Sequence, residues 1–373
     1  MEAATFHIDE LMIPTERYGA GWDDFAAAVG VRNTVEAEAY QTAVLALTAE
    51  EMYPAWLTLE QSPMRLFVAR VAAGVVGRAV YETVADPVSE FAWFTIDVLP
   101  AWRRIGIGGA LMATLDAVAG AENRTSTVTY AVSPAAAGER LPAPTGFGSV
   151  PLANPEVQFL LHRGFRLEQV ERGSKLPLPV DPHRLNGLVA DARARAGADY
   201  AVLTWSGLTP ERWLRDLALL YSRMTTDAPT AGLEEPEEVW TVERLVAEQE
   251  ASTRGPRIAL VAAALHRPSG RLAGFTELSV PTDATRAVSQ EDTLVLREHR
   301  GHRLGMLLKA ANLLQLAREH PGQSMVTTFN AEENRYMLDV NEELGFTPMG
   351  YEGAWRRVSA AAGSAGSSAR TGS

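Results

Sequence analysis

Val98-Leu99-Pro100-Ala101-Trp102-Arg103-Arg104-Ile105-Gly106-Ile107-Gly108 and Val295-Leu296-Arg297-Glu298-His299-Arg300-Gly301-His302-Arg303-Leu304-Gly305 share one layout. Each is the end of an apolar strand, then a short basic turn, then the first residues of an amphipathic helix. A strand end, a basic turn and a helix N-terminus bring backbone N–H groups, the positive end of a helix dipole and arginine side chains to one point. Such a point suits a pyrophosphate. Arg103 and Arg300 are 197 positions apart in a chain of 373 residues, so the sequence reads as a tandem duplication of one ligand-binding unit.

Length and composition agree with two domains of ordinary size. Hydrophobic residues make up 46%, enough for two cores, and charged residues 21%. No stretch approaches the ~20 apolar residues that span a bilayer. The first residues, Met1 to His7, have neither a basic nor an apolar leader region, so a cytoplasmic location is expected. The absence of cysteine excludes disulfides, thiolate metal ligands and a cysteine nucleophile, and no metal is expected. A net charge of −12 argues against nucleic acid as a partner. It is compatible with a cationic amine.

Residues 1–175 form the first expected domain. Arg65–Val71, Gly77–Tyr81 and Glu90–Val98 read as strands rich in β-branched and aromatic residues. Ile107, Leu111, Leu115 and Val118 give the stripe of the helix after the turn. A strand over Thr125–Val132 and a helix closed by Arg163-Gly164-Phe165 follow. The proline-rich residues 176–183 read as a linker. The second domain, 184–358, repeats the order: strands at Arg257–Leu265, Leu272–Val280 and Thr293–Leu296, a helix striped by Leu304, Leu307, Leu308, Ala311 and Leu314, a strand at Met325–Phe329, and a helix from Asn334 to Leu344 closed by Gly345-Phe346. The first copy is longer, chiefly in a Pro/Gly-rich loop over Ser133–Pro151. The Ala/Gly/Ser-rich stretch 359–373 is expected to be a disordered tail.

The pattern Val-x-x-x-x-Arg-x-x-Gly-x-Gly between strand and helix, with a late helix ending in Gly-Phe, resembles the GCN5-related N-acetyltransferases. Copy one carries it through Val98, Arg103, Gly106 and Gly108. Copy two carries it through Val295, Arg300, Gly301 and Gly305, with Arg303 where a glycine is usual, and adds Asn330, Asn334, Met337 and Asn341 before Leu344-Gly345-Phe346. In architecture it is similar to the mycothiol synthase-like tandem acetyltransferases. The resemblance implies an α/β fold with a mixed (α+β) sheet, duplicated in tandem. It also implies transfer of an acetyl group from acetyl-CoA to a primary amine of a small molecule, by a monomer or homodimer, with no nucleic acid or membrane involved. The alternatives are a non-catalytic CoA-binding tandem fold and an enzyme that uses another acyl donor.

By the same resemblance, Val295, Leu296, Arg300, Gly301, His302, Arg303, Leu304, Gly305, Asn330 and Asn334 would hold the cofactor in copy two. Val98, Arg103, Arg104, Ile105, Gly106, Ile107 and Gly108 would do so in copy one. An N–H near Val295 would face the thioester carbonyl. Many relatives place a tyrosine four residues before the late glycine as acid for the leaving thiolate. Here that slot is Leu160 or Asn341, and Asn341 is the candidate donor to the sulfur. A thiol pKa of about 8.5 lets the sulfur leave without an obligatory acid. Glu291 and Asp292 precede the copy-two turn on its strand and are the base candidates; strand neighbours point to opposite faces, so only one can face the cleft, and Asp292 is favoured. Glu90 and Asp97 are the weaker counterparts in copy one. The polar late helix makes copy two the expected catalytic half.

Overall fold

The computed structural model describes residues 5–359, apart from 59, 61, 73, 228–230 and 234–238. In the first half the order is β1 (His7–Leu11), α1 (Trp22–Tyr40), α2 (Ala49–Met52), β2 (Met64–Val71), β3 (Gly74–Thr83), β4 (Phe91–Val98), α3 (Ile107–Ala121), β5 (Ser126–Val132), β6 (Arg140–Pro142), β7 (Ser149–Pro151), α4 (Pro155–Leu161) and β8 (Arg166–Pro177). The second half follows with α5 (Pro182–Ala196), β9 (Tyr200–Ser206), α6 (Leu214–Asp227), α7 (Val242–Ser252), β10 (Arg257–His266), β11 (Arg271–Pro281), β12 (Val288–Val295), α8 (Leu304–Glu319), β13 (Met325–Ala331), α9 (Arg335–Leu344) and β14 (Thr347–Val358).

Twelve of these strands form one continuous sheet in the order β1-β2-β3-β4-β5-β14-β8-β13-β12-β11-β10-β9. The last strand of each half sits inside the other half. β14 pairs with β5 and β8, and β8 pairs with β14 and β13. The exchange is also visible in the cores. Trp355 of β14, 1% exposed, packs with Tyr81, Phe94 and Leu111 of the first half, while Leu176 of β8 packs with Leu260, Leu308 and Phe346 of the second.

Residues 176–183 therefore differ from the expected linker. They are the end of β8, a short connection, and the start of α5, whose first turn is capped by Asp181. The Pro/Gly-rich loop 133–151 contains the small antiparallel ribbon β6–β7. Of the expected tail, Ser359 still donates its N–H to the Thr125 carbonyl, and 360–373 lie outside the described residues.

Helices cover both faces of the sheet. In the first half α3 packs on one face, and α1 with Tyr53 and Trp56 packs on the other. In the second half α5, α8 and Val340 of α9 cover one face, and α6 with Leu245 of α7 the other. This two-sided cover explains why β10 is buried from Leu260 through Ala264, with Ala263 turned to α6 and Ala262 and Ala264 to the opposite cluster.

Among the described residues, the only parallel neighbours are β4–β5 and β12–β13. β4 pairs with β5 over Phe91–Phe94, then the ladder stops. β12 pairs with β13 only at Val288 and Ser289. Beyond those points the strands run on unpaired with one another, so each half contains a gap in the sheet. Each gap ends at one of the quoted turns.

Candidate functional site

Both turns have the same backbone, achieved with different residues. In copy one Arg104 (φ 66°) and Gly106 (φ 98°) are left-handed; in copy two Gly301 (φ 84°) and Arg303 (φ 55°) occupy the same two positions. Each copy thus has one glycine and one arginine in a conformation that costs a non-glycine residue about 1–2 kcal/mol. Arg303 takes the place of a glycine without changing the turn, and its guanidinium holds Glu343 at 2.6 and 2.7 Å.

α3 and α8 start from these left-handed residues without a side-chain cap. Their first N–H groups remain available to an anion. By contrast, α2, α5, α7 and α9 are capped by Thr48, Asp181, Thr241 and Asn334. Gly305 lies under the Tyr336 ring, and Gly108 under Phe159. Arg163 stacks on Phe159 at 3.8 Å and reaches Gly109 in the first turn of α3. A guanidinium placed against the positive end of a helix is favoured when an anion lies between them.

The turn arginines do not reach outward as expected. Arg103 Nε donates to the Val98 carbonyl at 3.0 Å and Arg300 Nε to that of Val295 at 3.1 Å, so each braces its own turn. Arg103 also pairs with Glu38. Ile107 and Leu304 point into the cores, leaving only their backbone toward the turn. Ile105 is exposed. His302 packs beside Tyr200, which bonds His299 at 2.8 Å.

The backbone hydrogen bonds fix which way the N–H groups at the strand ends point. Leu296 donates its N–H to Ala273 O at 3.0 Å, so the N–H of Val295 points the other way, into the β12–β13 gap. In copy one Leu99 donates to Val76 O at 2.9 Å, and Val98 faces the β4–β5 gap.

The three asparagines are used differently from the expectation. Asn334 caps α9 by accepting from the Met337 N–H. Asn341, 1% exposed, accepts from Lys309 Nζ at 2.8 Å and donates to Asn330 Oδ1 at 2.7 Å. Asn341 is thus held in a buried chain between α8 and β13, with its Nδ2 already donating to Asn330. Burial lowers Lys309 to about 7.

The base candidates occupy a place that alternation alone does not describe. Thr276 pairs with Thr293 and Leu278 with Gln290, so Glu277 on β11 stands opposite two residues, Glu291 and Asp292. A bulge of this kind re-aims side chains and breaks the simple in–out rule. Both acids act on Glu277. Burial first, then the charges of Glu291 and Asp292, push the Glu277 carboxyl up to about 8, against a lowering hydrogen bond from Tyr221. The Tyr221 hydroxyl donates to Glu277 at 3.0 Å and is itself raised well above its ordinary value by burial and these carboxylates. Glu291 is exposed to solvent at its surface, and its crowded surroundings and the neighbouring Asp292 raise its carboxyl.

Glu277 and Tyr221 line a pocket with about 160 Å³ of free space, together with Trp240, Glu248, Arg257 and Gln249. Trp240 stacks on Tyr221 at 4.7 Å. The floor is tied to the first half. Arg257 bonds Glu51 at 2.7 Å, and Glu51, its side chain 3% exposed, also holds Arg286 at 2.9 Å. Tyr221 and Trp240 lie in the early helical stretch from Trp213 to Trp240 expected to face the acceptor, whereas Glu277 is not among the sequence candidates. The available signal was a lone acid inside the apolar strand Ala273-Gly274-Phe275-Thr276-Glu277-Leu278.

No family model and no curated protein matches the chain. Among solved structures it is similar to a tandem GNAT protein from the clavulanic acid biosynthesis pathway, at 23% identity and a TM-score of 0.70, covering 95% of this chain and 98% of that one. It is also similar to a GCN5-related N-acetyltransferase from Sphaerobacter thermophilus, at 12% identity and a TM-score of 0.59, covering 95% of both. The fold is that of the GCN5-related N-acetyltransferases. More particularly, it is the tandem form of that fold, duplicated in one chain.

Proposed function

We propose that the protein is an N-acyltransferase that moves an acetyl group from acetyl-CoA to a primary amine of a small molecule, with the second half as the working half. The observation that carries this reading is Glu277, set opposite the β12 bulge with Glu291 and Asp292, beside the strand that leads to Val295 and the uncapped start of α8.

In this reading the first N–H groups of α8 hold the pyrophosphate, and the pantetheine arm enters the β12–β13 gap as an added strand. The amine binds in the Tyr221–Trp240 pocket, where the carboxyl groups of Glu277 and Glu248 face its protonated form. Glu277 takes a proton from the ammonium, directly or through water. The amine nitrogen then attacks the thioester carbon, and the Val295 N–H stabilises the oxyanion. Collapse breaks the C–S bond, and the second nitrogen proton passes to the departing sulfur, so CoA leaves as the thiol. The first proton, taken from the ammonium before attack, is returned to solvent through Glu277.

Acetyl-CoA presented with a panel of primary amines, and read by free-thiol release, tests the reading. Amine-dependent release that is lost in Gly305→Glu, a change that puts bulk and negative charge at the start of α8, supports it. Thiol release that is independent of every amine, or unaffected in Gly305→Glu, contradicts it.

A further inference from the structure

We infer that the acceptor is a primary amine on a short chain that carries a single aromatic ring, without a carboxylate and without a run of hydroxyls, and that the walls of the Tyr221–Trp240 pocket select it. The inference rests on the acyl-transfer reading above and narrows it to one class of substrate.

Most polar groups that line the pocket are engaged with the protein itself. Gln249 accepts the Thr209 N–H at 3.0 Å and donates to the Thr209 hydroxyl at 2.8 Å. Arg257 directs its guanidinium to Glu51, to the hydroxyl and carbonyl of Ser279, and to Ala287 and Ser289. Glu248 lies 3.9 Å from Arg244 and accepts from the Thr58 hydroxyl at 3.4 Å. Among the described residues the Glu277 carboxyl accepts one hydrogen bond, from Tyr221 at 3.0 Å, which leaves most of its acceptor capacity to a ligand. A ligand therefore finds one strong polar anchor, and it suits an ammonium. Hydroxyls elsewhere on the ligand would leave water without gaining partners. A carboxylate beside the amine would face Glu248 and Glu277, with Glu291 and Asp292 across the bulge and the Arg257 guanidinium already committed. Like charges brought together in this way reject a ligand.

The rest of the lining is apolar and aromatic, with Leu208, Leu245, Ile258 and Ala259 beside Tyr221 and Trp240. Tyr221 stacks on Trp240 at 4.7 Å, and the Arg244 guanidinium lies 4.1 Å from the Trp240 ring. Two groups this close fit only on opposite faces of the indole. Tyr221 is covered in turn by Phe275 at 4.9 Å. What the two rings turn toward the pocket is therefore their edges. Aromatic edges carry partial positive charge and prefer the face of another ring, which a saturated chain cannot supply. The free space of about 160 Å³ matches this ligand in size, since an apolar cavity of about 150 Å³ holds one benzene ring. A single ring fills the pocket, and a short chain carries the amine to Glu277.

The test compares thiol release from acetyl-CoA by the full chain with 2-phenylethylamine, 2-cyclohexylethylamine, phenylalanine and glucosamine. The expected kcat/KM for 2-phenylethylamine is about fivefold above that of its saturated counterpart. It should exceed those of phenylalanine and glucosamine by about a hundredfold. Trp240→Leu should bring the aromatic and saturated amines within about twofold of each other, chiefly through KM. The wild-type ranking decides the matter by itself should that variant not fold. Transfer to phenylalanine or glucosamine as fast as to 2-phenylethylamine, or equal use of the two ring amines by the wild type, overturns the inference and leaves the transferase reading standing. Absence of thiol release with every amine contradicts the transferase reading instead. Calorimetric titration with 2-phenylethylamine and phenylalanine, without acyl donor, then judges the pocket. Binding of the amine about tenfold tighter than the amino acid, weakened in Trp240→Leu, supports the assigned class. Equal affinities, or no binding of either, overturn it.

Discussion

Glu277 shows most clearly what one residue's surroundings can do. A carboxyl with an ordinary pKa near 4.3 is a weak base toward an ammonium, whereas one raised to about 8 is well matched to it. The shift has a cost in stability. Because the folded-state value exceeds the unfolded one, the protonated fold is favoured at low pH, and stability falls as pH rises from about 4.5 to about 8. Glu277→Gln should therefore flatten the decline in thermal stability between pH 5 and 8, measured by melting curves. A decline as steep as that of the wild type would show that Glu277 is not the group responsible. The turn residues give a second expectation. Gly301→Ala forces a Cβ into a left-handed position and should cost about 1–2 kcal/mol, whereas Arg303→Gly at the companion position should be neutral or stabilising. Chemical denaturation of both variants checks the pair, and a destabilising Arg303→Gly would mean that its contact with Glu343 outweighs the strain.

At the scale of elements, the sequence made the two strand–turn–helix corners legible, because their apolar runs, glycines and helix stripes all lie close together in the chain. The two exchanged strands were not legible. β8 carries Glu171, Arg172, Gly173 and Lys175, and β14 carries Pro348, Gly350, Gly353, Arg356 and Arg357, so neither shows clean alternation. Their burial comes from lying between other strands, a property that no local pattern reports. The bulge on β12 was equally hidden. Alternation gave Glu291 and Asp292 opposite faces, whereas the extra residue sets both against Glu277. The asparagines of copy two illustrate the reverse error. Their types suited amide recognition, but Asn334 caps a helix and Asn330, Asn341 and Lys309 bond one another. An element-scale expectation follows. Gly108→Glu at the start of α3 should leave turnover within about threefold if the second half does the chemistry, once the variant is shown to be folded. Complete loss in a folded variant would move the working site to the first half.

For the whole molecule, the exchange of β8 and β14 makes the halves interdependent. Arg172 of β8 binds Glu332 at 2.6 Å and Glu342 at 2.7 Å, and Glu51 clamps Arg257 and Arg286 across the same junction. Residues 1–175 expressed alone lack β14, and so lack Trp355 from their core. Trp355→Ala in the full chain should cost about 3–5 kcal/mol and lower hydrogen-exchange protection in β4 and α3, although Trp355 belongs to the second half by sequence. Exchange confined to β14 itself would indicate that the strand is only a peripheral addition.

The central claim is that the carboxyl of Glu277 relays the amine proton in an acyl transfer worked by the second half. Thiol release from acetyl-CoA, followed against pH with an amine the enzyme accepts, tests it most directly in wild type and Glu277→Gln. The account predicts a wild-type rate that rises with pH through a midpoint near 8 and levels off above it. It also predicts a variant slowed by about 10² to 10⁴ with acetyl-CoA affinity within twofold. A Glu277→Gln enzyme within threefold of wild type, with the same pH profile, would contradict it.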